Sequence, residues 1–344
     1  MTITSAGGKT TLAAIARLTG VSTPTVSKVV NGREDVSAET RAKVLAALEQ
    51  AGYQSPGQRR APAGQQVVEV AFDAIDSNYT ATVLNGILDF AAESGVEVVV
   101  SVTGSPAGSR FDLGRRAQRM VDEGRSGMIV VTSAFSEGQL SAFRRRHVPV
   151  VVIDPLNQPP ADVISVGAAN WSGGRAAAEH LLDLGHRRIA YLGGPEEAEC
   201  NQARLHGYLS ALMSRGIDHD PSLVLHGSFR TEDGIRGLTE LLALPEPPTA
   251  IFAGNDAIAV GVLREARRRH IRVPEDLSLV GFDGTVLAED SVPALTSVAQ
   301  PLHDMGRAAL RNVLRQARGE QLDSHRVELA TQLVVRESTA PPAA

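Results

Sequence analysis

Between Val67 and Val335 the chain alternates short runs of Val, Ile and Leu with stretches whose apolar residues recur every three or four positions. That alternation restricts the possible folds more than any other feature. The runs at 67–75, 96–102, 128–132 and 148–153 are nearly continuous, as strands read when helices cover both faces of a parallel sheet. The intervening segments supply those helices. Residues 80–94 place Val83, Ile87, Leu88 and Ala91 on one face, the next segment carries Leu113, Ala117 and Met120, and a third lies between 132 and 148. A second series repeats the scheme, with helices at 172–184, 204–214, 234–242 and 258–269 and strands at 189–192, 223–225, 250–252 and 277–281. A helix at 305–317 and a strand at 327–335 then return across both halves. The expected body is a pair of doubly wound α/β lobes whose strands point their carboxyl ends into a shared cleft.

Residues 9–53 read differently. Thr11 can cap a helix carrying Leu12, Ile15, Ala16 and Leu18, and Gly20 breaks it. Ser22 starts a second helix with Val26, Val29 and Val30 as its apolar stripe, closed by Asn31-Gly32. Ser37 caps a third, with Glu39 near its positive end and Val44, Leu45 and Leu48 packing inward. Helix, tight turn, helix is the helix-turn-helix arrangement. Its second helix presents Thr23, Pro24, Thr25, Ser27 and Lys28, short polar residues with a cation one turn on, which suit insertion into a major groove. The same residues also suit the solvated face of a plain three-helix cap. Charge favours the first reading: Met1–Gly64 holds eight Lys or Arg against four Asp or Glu, the remainder 26 against 35.

Other classes find little support. Cys200 is the only cysteine, so a disulfide framework or Cys-based zinc site is excluded. The sequence holds no HExxH, P-loop or Gly-x-Ser-x-Gly, and Gly193-Gly194-Pro195 lacks the third glycine of a dinucleotide fingerprint. No enzyme, cofactor or metal is expected. Met1 to Thr10 has no apolar core of a signal peptide, and no run approaches the roughly 20 apolar residues of a membrane span, so a cytoplasmic protein without membrane contact is expected.

The residues of the head carry a family resemblance. Thr11-Leu12-Ala13-Ala14-Ile15-Ala16, Gly20-Val21-Ser22, Thr25-Val26-Ser27, Val29-Val30-Asn31-Gly32, Val36-Ser37 and Thr40-Arg41 resemble the headpiece of the lactose-repressor (LacI/GalR) family. The body resembles that family's effector domain and periplasmic sugar-binding proteins, through Val152-Ile153-Asp154, Asn170-Trp171-Ser172-Gly173-Gly174, Gly185-His186-Arg187-Arg188-Ile189, Arg204-Leu205-His206-Gly207-Tyr208, Asn255-Asp256 and Val280-Gly281-Phe282-Asp283. The implied fold is a small all-α helix-turn-helix domain followed by a two-lobed, periplasmic-binding-protein-like α/β domain with parallel sheets. The expected division is a DNA-binding domain at 9–53, a linker at 54–66 and an effector domain at 67–340. Within that domain the N-lobe would take 67–161 and 299–321, and the C-lobe 162–298 and 322–338.

By the resemblance, Thr23, Pro24 and Lys28 would meet base edges, while Ser22, Thr25, Ser27 and Asn31 would face phosphates; Thr11 is counted with this DNA-facing set. Lys28 stands where the family more often has Arg, and reaches a guanine as a point charge rather than a fork. The linker departs from the family pattern. Where a hinge helix usually carries Ala and Leu, this chain has Arg59 and Pro62, and a proline there removes a donor and clashes with the preceding turn. Either Arg59 and Arg60 grip the minor groove or its phosphates, or the linker is only a tether.

In the cleft, the resemblance implies polar effector contacts from Asp154, Arg204, Asn255 and Asp283 and a stacking ring from Phe229. Phe72, Tyr79, Phe135 and Trp171 are further candidates from comparable loops. Asp283, Asp256 and Trp171 also have plain structural readings, as turn, helix-cap and core-edge residues. His186 reads as structural, and Cys200 as an inert small residue. The expected protein is a homodimeric repressor on a palindromic operator, released by a small mono- or oligosaccharide. Alternatives are a nucleobase or phosphorylated metabolite acting as corepressor, and a solute-binding protein, which would need export and no head.

Overall fold

The computed structural model describes residues 11–30, 36–51, 66–102, 113–133, 137–321 and 324–343. Asn31, Arg59, Arg60, Pro62 and Phe135 lie outside them. The chain divides into two compact units, Met1–Gly64 and Gln65–Ala344.

Among the described residues, the first unit holds three helices, α1 (Leu12–Thr19), α2 (Thr23–Val30) and α3 (Ala38–Gln50). Thr11 caps α1, its side chain accepting from the Ala14 amide, and Gly20 closes it at φ 68°, a left-handed backbone that costs glycine nothing. Ile15, Ala16, Val26, Val29, Val44 and Leu48 form one core beneath the three helices. Leu45, expected inside, is half exposed.

Among the described residues, the second unit contains two sheets. The first includes β1 (Gln66–Phe72), β2 (Val96–Val102), β3 (Gly127–Val131), β4 (Val150–Ile153), β5 (Ile164–Ala168) and β11 (Arg326–Leu329). Their order is β11-β5-β4-β3-β1-β2, and every pair is parallel. The helices α4 (Asn78–Ser94), α5 (Leu113–Asp122), α6 (Glu137–Arg144) and α12 (Leu302–Ala317) belong to this lobe. The second sheet runs β12-β10-β9-β8-β6-β7, from β6 (Ile189–Leu192), β7 (Val224–Leu225), β8 (Ala250–Ala253), β9 (Ser278–Asp283), β10 (Thr296–Ala299) and β12 (Gln332–Val334). Only β12 is antiparallel to its neighbour. The helices α7 (Asn170–Asp183), α8 (Glu199–Ser214), α9 (Thr231–Leu242), α10 (Asp256–Arg268) and α11 (Val286–Asp290) pack on it.

Leaving the closing strands aside, each lobe has the order 2-1-3-4-5, which leaves a crevice at the carboxyl ends where successive connections diverge. Among the described residues, the chain crosses between lobes after β5, after β10 and after β11.

The expected lobe boundary needs correction. Residues 164–168 belong to the first sheet, not the second, because Ile164, Val166 and Ala168 enter the core shared with Met305, Ala309 and Leu310 of α12. The expected strand at 327–335 is two strands, β11 in the first sheet and β12 in the second. The first of these also lay in the expected C-lobe. The chain changes lobes between them, so a single periodic run conceals a crossing.

Candidate DNA-reading helix and effector cleft

In the headpiece, Val26 and Val29 turn inward, which leaves Thr23, Pro24 and Lys28 on the exposed side of α2, with Ser27 half-buried. Ser22 opens that helix: its Oγ accepts from the Thr25 amide at 3.3 Å and lies 2.8 Å from the Thr25 Oγ1. Their hydroxyls are therefore held at the amino end of α2, where backbone N–H groups and the helix dipole favour an anion. Thr11 is exposed and engaged as the α1 cap.

In the body, a cleft of about 570 Å³ opens where the strand ends of both lobes converge. Asp154 follows β4 and Tyr79 sits in the first turn of α4, both in the first lobe. Arg204 on α8, Phe229 in the loop after β7, Asn255 ahead of α10 and Asp283 at the end of β9 come from the second. All six line the same space.

Their conformations are held by the fold. Asn255 caps α10, its Oδ1 accepting from the Ile258 amide at 2.9 Å, while its Nδ2 donates to the Phe229 carbonyl at 3.1 Å. Asp154, Phe229 and Asp283 have φ of 41°, 63° and 105°, a region sparsely used by residues other than glycine. Such strain, of order 1–3 kcal/mol each, recurs at ligand sites where the surroundings over-determine the backbone.

Arg204 is the electrostatic centre. Its Nε donates to Asn170 Oδ1 at 2.8 Å and its Nη1 to the Gly254 carbonyl at 2.7 Å, while its guanidinium carbon lies 3.9 Å from the Phe282 ring centre. Asp283 Oδ1 stands 3.8 Å from Nη1 and accepts from Gln300 Nε2 at 2.7 Å. Asp154 Oδ2 accepts from the Tyr79 hydroxyl at 2.6 Å. Burial raises the Asp154 carboxyl above its usual range against the opposing pull of Tyr79 and Arg204. Burial, with Asp256 nearby, pushes Asp283 up to about 7 despite Arg204. Burial and Asp154 together raise the Tyr79 hydroxyl well above its ordinary value.

Asp256, next to Asn255, is structural: its carboxylate accepts from the Thr285 amide and hydroxyl at 2.7 and 2.9 Å and from Ser297 Oγ at 2.6 Å. His186 is likewise engaged, between Thr249 Oγ1 and the Ala340 carbonyl, both at 2.9 Å. Cys200 lines the cleft with a thiol that burial pushes up to about 11, far from a reactive thiolate.

Two expected contacts fall elsewhere. Phe72 is fully buried, because it shares a strand face with Val68 and Val70 and packs into the first lobe's core; the residues after it, from Asp73 on, reach the cleft. Trp171 is 44% exposed and lines a separate, smaller cavity. The sequence reading missed Asn170 as the partner of Arg204, although it heads a motif already singled out. It also missed Gln300, which follows a strand too short and polar to stand out.

Among the described residues, no helix is long and apolar enough to cross a membrane, and no group of three His, Cys, Asp or Glu side chains could hold a metal ion.

Comparison with known proteins agrees with this layout. Residues 11–55 match the model of bacterial regulatory proteins, lacI family, and residues 178–339 match a periplasmic binding protein-like domain. The chain is 33% identical over 331 residues to catabolite control protein A of Priestia megaterium, covering 94% of this chain and 98% of that one. A solved complex of the transcriptional regulator CelR with cellobiose superposes with a TM-score of 0.72 at 31% identity, covering 96% of this chain and 100% of CelR. The lac repressor dimer bound to operator and the anti-inducer ONPF superposes with a TM-score of 0.71 at 28% identity, covering 97% and 100%. A three-helix DNA-reading head, a two-lobed body with a convergent cleft, and near full-length identity of one third lead to one conclusion: the chain belongs to the lacI family of DNA-binding transcriptional regulators.

Proposed function

We propose that this regulator is a homodimeric repressor whose paired headpieces read a palindromic operator and whose cleft takes a neutral mono- or oligosaccharide that releases it. The observation that carries the choice of ligand is the charge of the cleft. Among the described residues, Asp73, Asp76, Asp154, Glu232, Asp256 and Asp283 line it against Arg204 and Arg230. A phosphorylated metabolite would meet an excess of carboxylates, whereas phosphate sites gather several cations. Sugar hydroxyls can donate to Asp154 and Asp283 and accept from Arg204 and Asn255, and Phe229 offers a ring face. A volume of about 570 Å³ lies within the usual range for small-molecule sites. The cellobiose bound by CelR supports the same class of ligand.

A ligand spanning the cleft would join Asp154 and Tyr79 of one lobe to Arg204 and Asp283 of the other, and so favour one interlobe angle. The operator complex must favour another angle, and a differential affinity of about 1–3 kcal/mol suffices for regulation. Two domains at 9–53 and 67–340 joined by the 54–66 linker, with Thr11, Ser22 to Thr25, Ser27, Lys28 and Asn31 facing DNA, complete the proposal. Arg59 and Arg60 would then add contacts in the minor groove. The test is a thermal-shift screen of mono- and disaccharides, nucleobases and sugar phosphates, with operator binding as second readout. A sugar that stabilises the protein and releases operator supports the proposal; stabilisation by sugar phosphates or nucleobases alone refutes it.

A further inference from the structure

The only tryptophan of the chain is left outside the effector cleft, and its surroundings form a cavity of their own. Behind the hinge, a depression of about 150 Å³, half open to solvent, lies between the loop after β4, the edge of β5 and β11, and the first turns of α7 and α8. Trp171, at the second position of α7, lines it while remaining 44% exposed, an uncommon fate for so large an apolar surface. Its charged lining is Glu199, Arg326 and Glu328, joined by Ser165 and Asn170, with Asp154 and Cys200 forming a wall shared with the main cleft. Arg326 is only loosely held, its Nη1 4.0 Å from Glu199 and its Nη2 3.4 Å from the Pro159 carbonyl.

We infer that this rear cavity, built from Trp171, Glu199, Arg326, Glu328 and the shared wall of Asp154 and Cys200, is a second saccharide subsite that takes one neutral sugar ring. Three observations carry the ligand class. A volume near 150 Å³ has room for one small ring and no more, and its open side leaves hydroxyls in solvent. The Arg175 guanidinium lies over the Trp171 ring, 5.7 Å from its centre, and the half-exposed indole still presents apolar surface to the cavity. Three carboxylates against one guanidinium disfavour an anion, while carboxylates and a guanidinium together can serve hydroxyls as acceptors and donors.

The position gives the subsite a consequence. Its lining includes Ala168 and Asn170, on either side of the first crossing between lobes. Asn170 also accepts from Arg204 in the main cleft at 2.8 Å. A ring seated here would lie against the hinge and against one wall of the main site, at a position distinct from that of the effector. The inference rests on the reading of the regulator as sugar-responsive.

Because Trp171 is the sole tryptophan, its emission reports on this cavity in the full-length protein without labels. The probes are D-glucose, D-galactose, D-xylose, D-ribose, cellobiose and maltose, titrated against tryptophan emission, thermal shift and operator release. At least one is expected to change the emission at a midpoint distinct from that of operator release. Phe229→Ala, which removes the ring facing the main cleft, is expected to raise the operator-release midpoint about tenfold or more while moving the emission midpoint less than about threefold. Glu328→Ala is expected to do the reverse. If sugars release operator but leave the emission unchanged, no ring seats against Trp171; if both midpoints move together in Phe229→Ala, Trp171 reports only lobe movement. Either result refutes the subsite while the effector reading stands. A panel in which no sugar moves any of the three signals refutes both.

Discussion

Arg204 holds three roles on one side chain: it bonds Asn170, bonds the Gly254 carbonyl, and sits between two carboxylates. Its fixed fork is available to a ligand without further ordering. Arg204→Ala is expected to weaken the effector response about 10- to 100-fold, the worth of one charged hydrogen bond, with operator affinity retained. Calorimetry with the sugar and anisotropy with operator DNA measure the two separately. Lys28→Ala is expected to give the opposite pattern, losing operator and keeping effector, since Lys28 lies on the exposed side of α2. Asp283 carries a stability cost. Its carboxyl is raised to about 7 in the fold, so the proton-bound form is the one the fold favours. Stability from this group is fully present below the ordinary carboxylate range and is lost as pH rises towards and through 7. Asp283→Asn is therefore expected to raise the melting temperature of the effector-free protein more at pH 8 than at pH 5, while abolishing the response to effector. Equal shifts at both pH values would contradict the burial argument.

At the level of elements, the cleft depends on how closely α7 and α8 approach. A Cβ on Gly207 would fall 2.1 Å from the Trp171 carbonyl, and one on Gly174 2.3 Å from that of Arg204. These contacts are to backbone, so a larger residue must move a helix rather than a side chain. Gly207→Ala is expected to cost about 1–3 kcal/mol in denaturant titrations, and to weaken effector binding by displacing Arg204 one turn away. Operator binding should survive, because the headpiece has its own core. The headpiece was the most legible element in the sequence. Its caps at Thr11, Ser22 and Ser37 act within four residues, and local spacing is enough to reveal such contacts. β5 was not legible: it follows β4 without an intervening helix, and Ile164-Ser165-Val166-Gly167-Ala168 has no continuous apolar run.

For the whole molecule, the asymmetry of charge separates the two binding events. Operator affinity is expected to fall steeply with salt, as phosphate contacts displace counterions, while affinity for a neutral sugar should stay nearly flat between about 50 and 200 mM. A steep salt dependence of effector binding would instead indicate an anionic ligand. Asp154 and Tyr79 face Arg204 and Asp283 from opposite lobes, so a ligand that contacts both sets, as proposed, would link its occupancy to the lobe angle.

What the sequence alone determined is everything that depends on near neighbours: the helix-turn-helix, the alternation of strands and helices, and the membership of Asp154, Arg204, Asn255 and Asp283 in recognisable motifs. The tertiary structure decided which lobe owns β5 and β11, that Phe72 is core, that Trp171 faces the rear of the hinge, and that Gln300 meets Asp283. Each of those outcomes depends on residues far apart in the chain being brought together where it crosses between lobes, and no local period encodes a crossing.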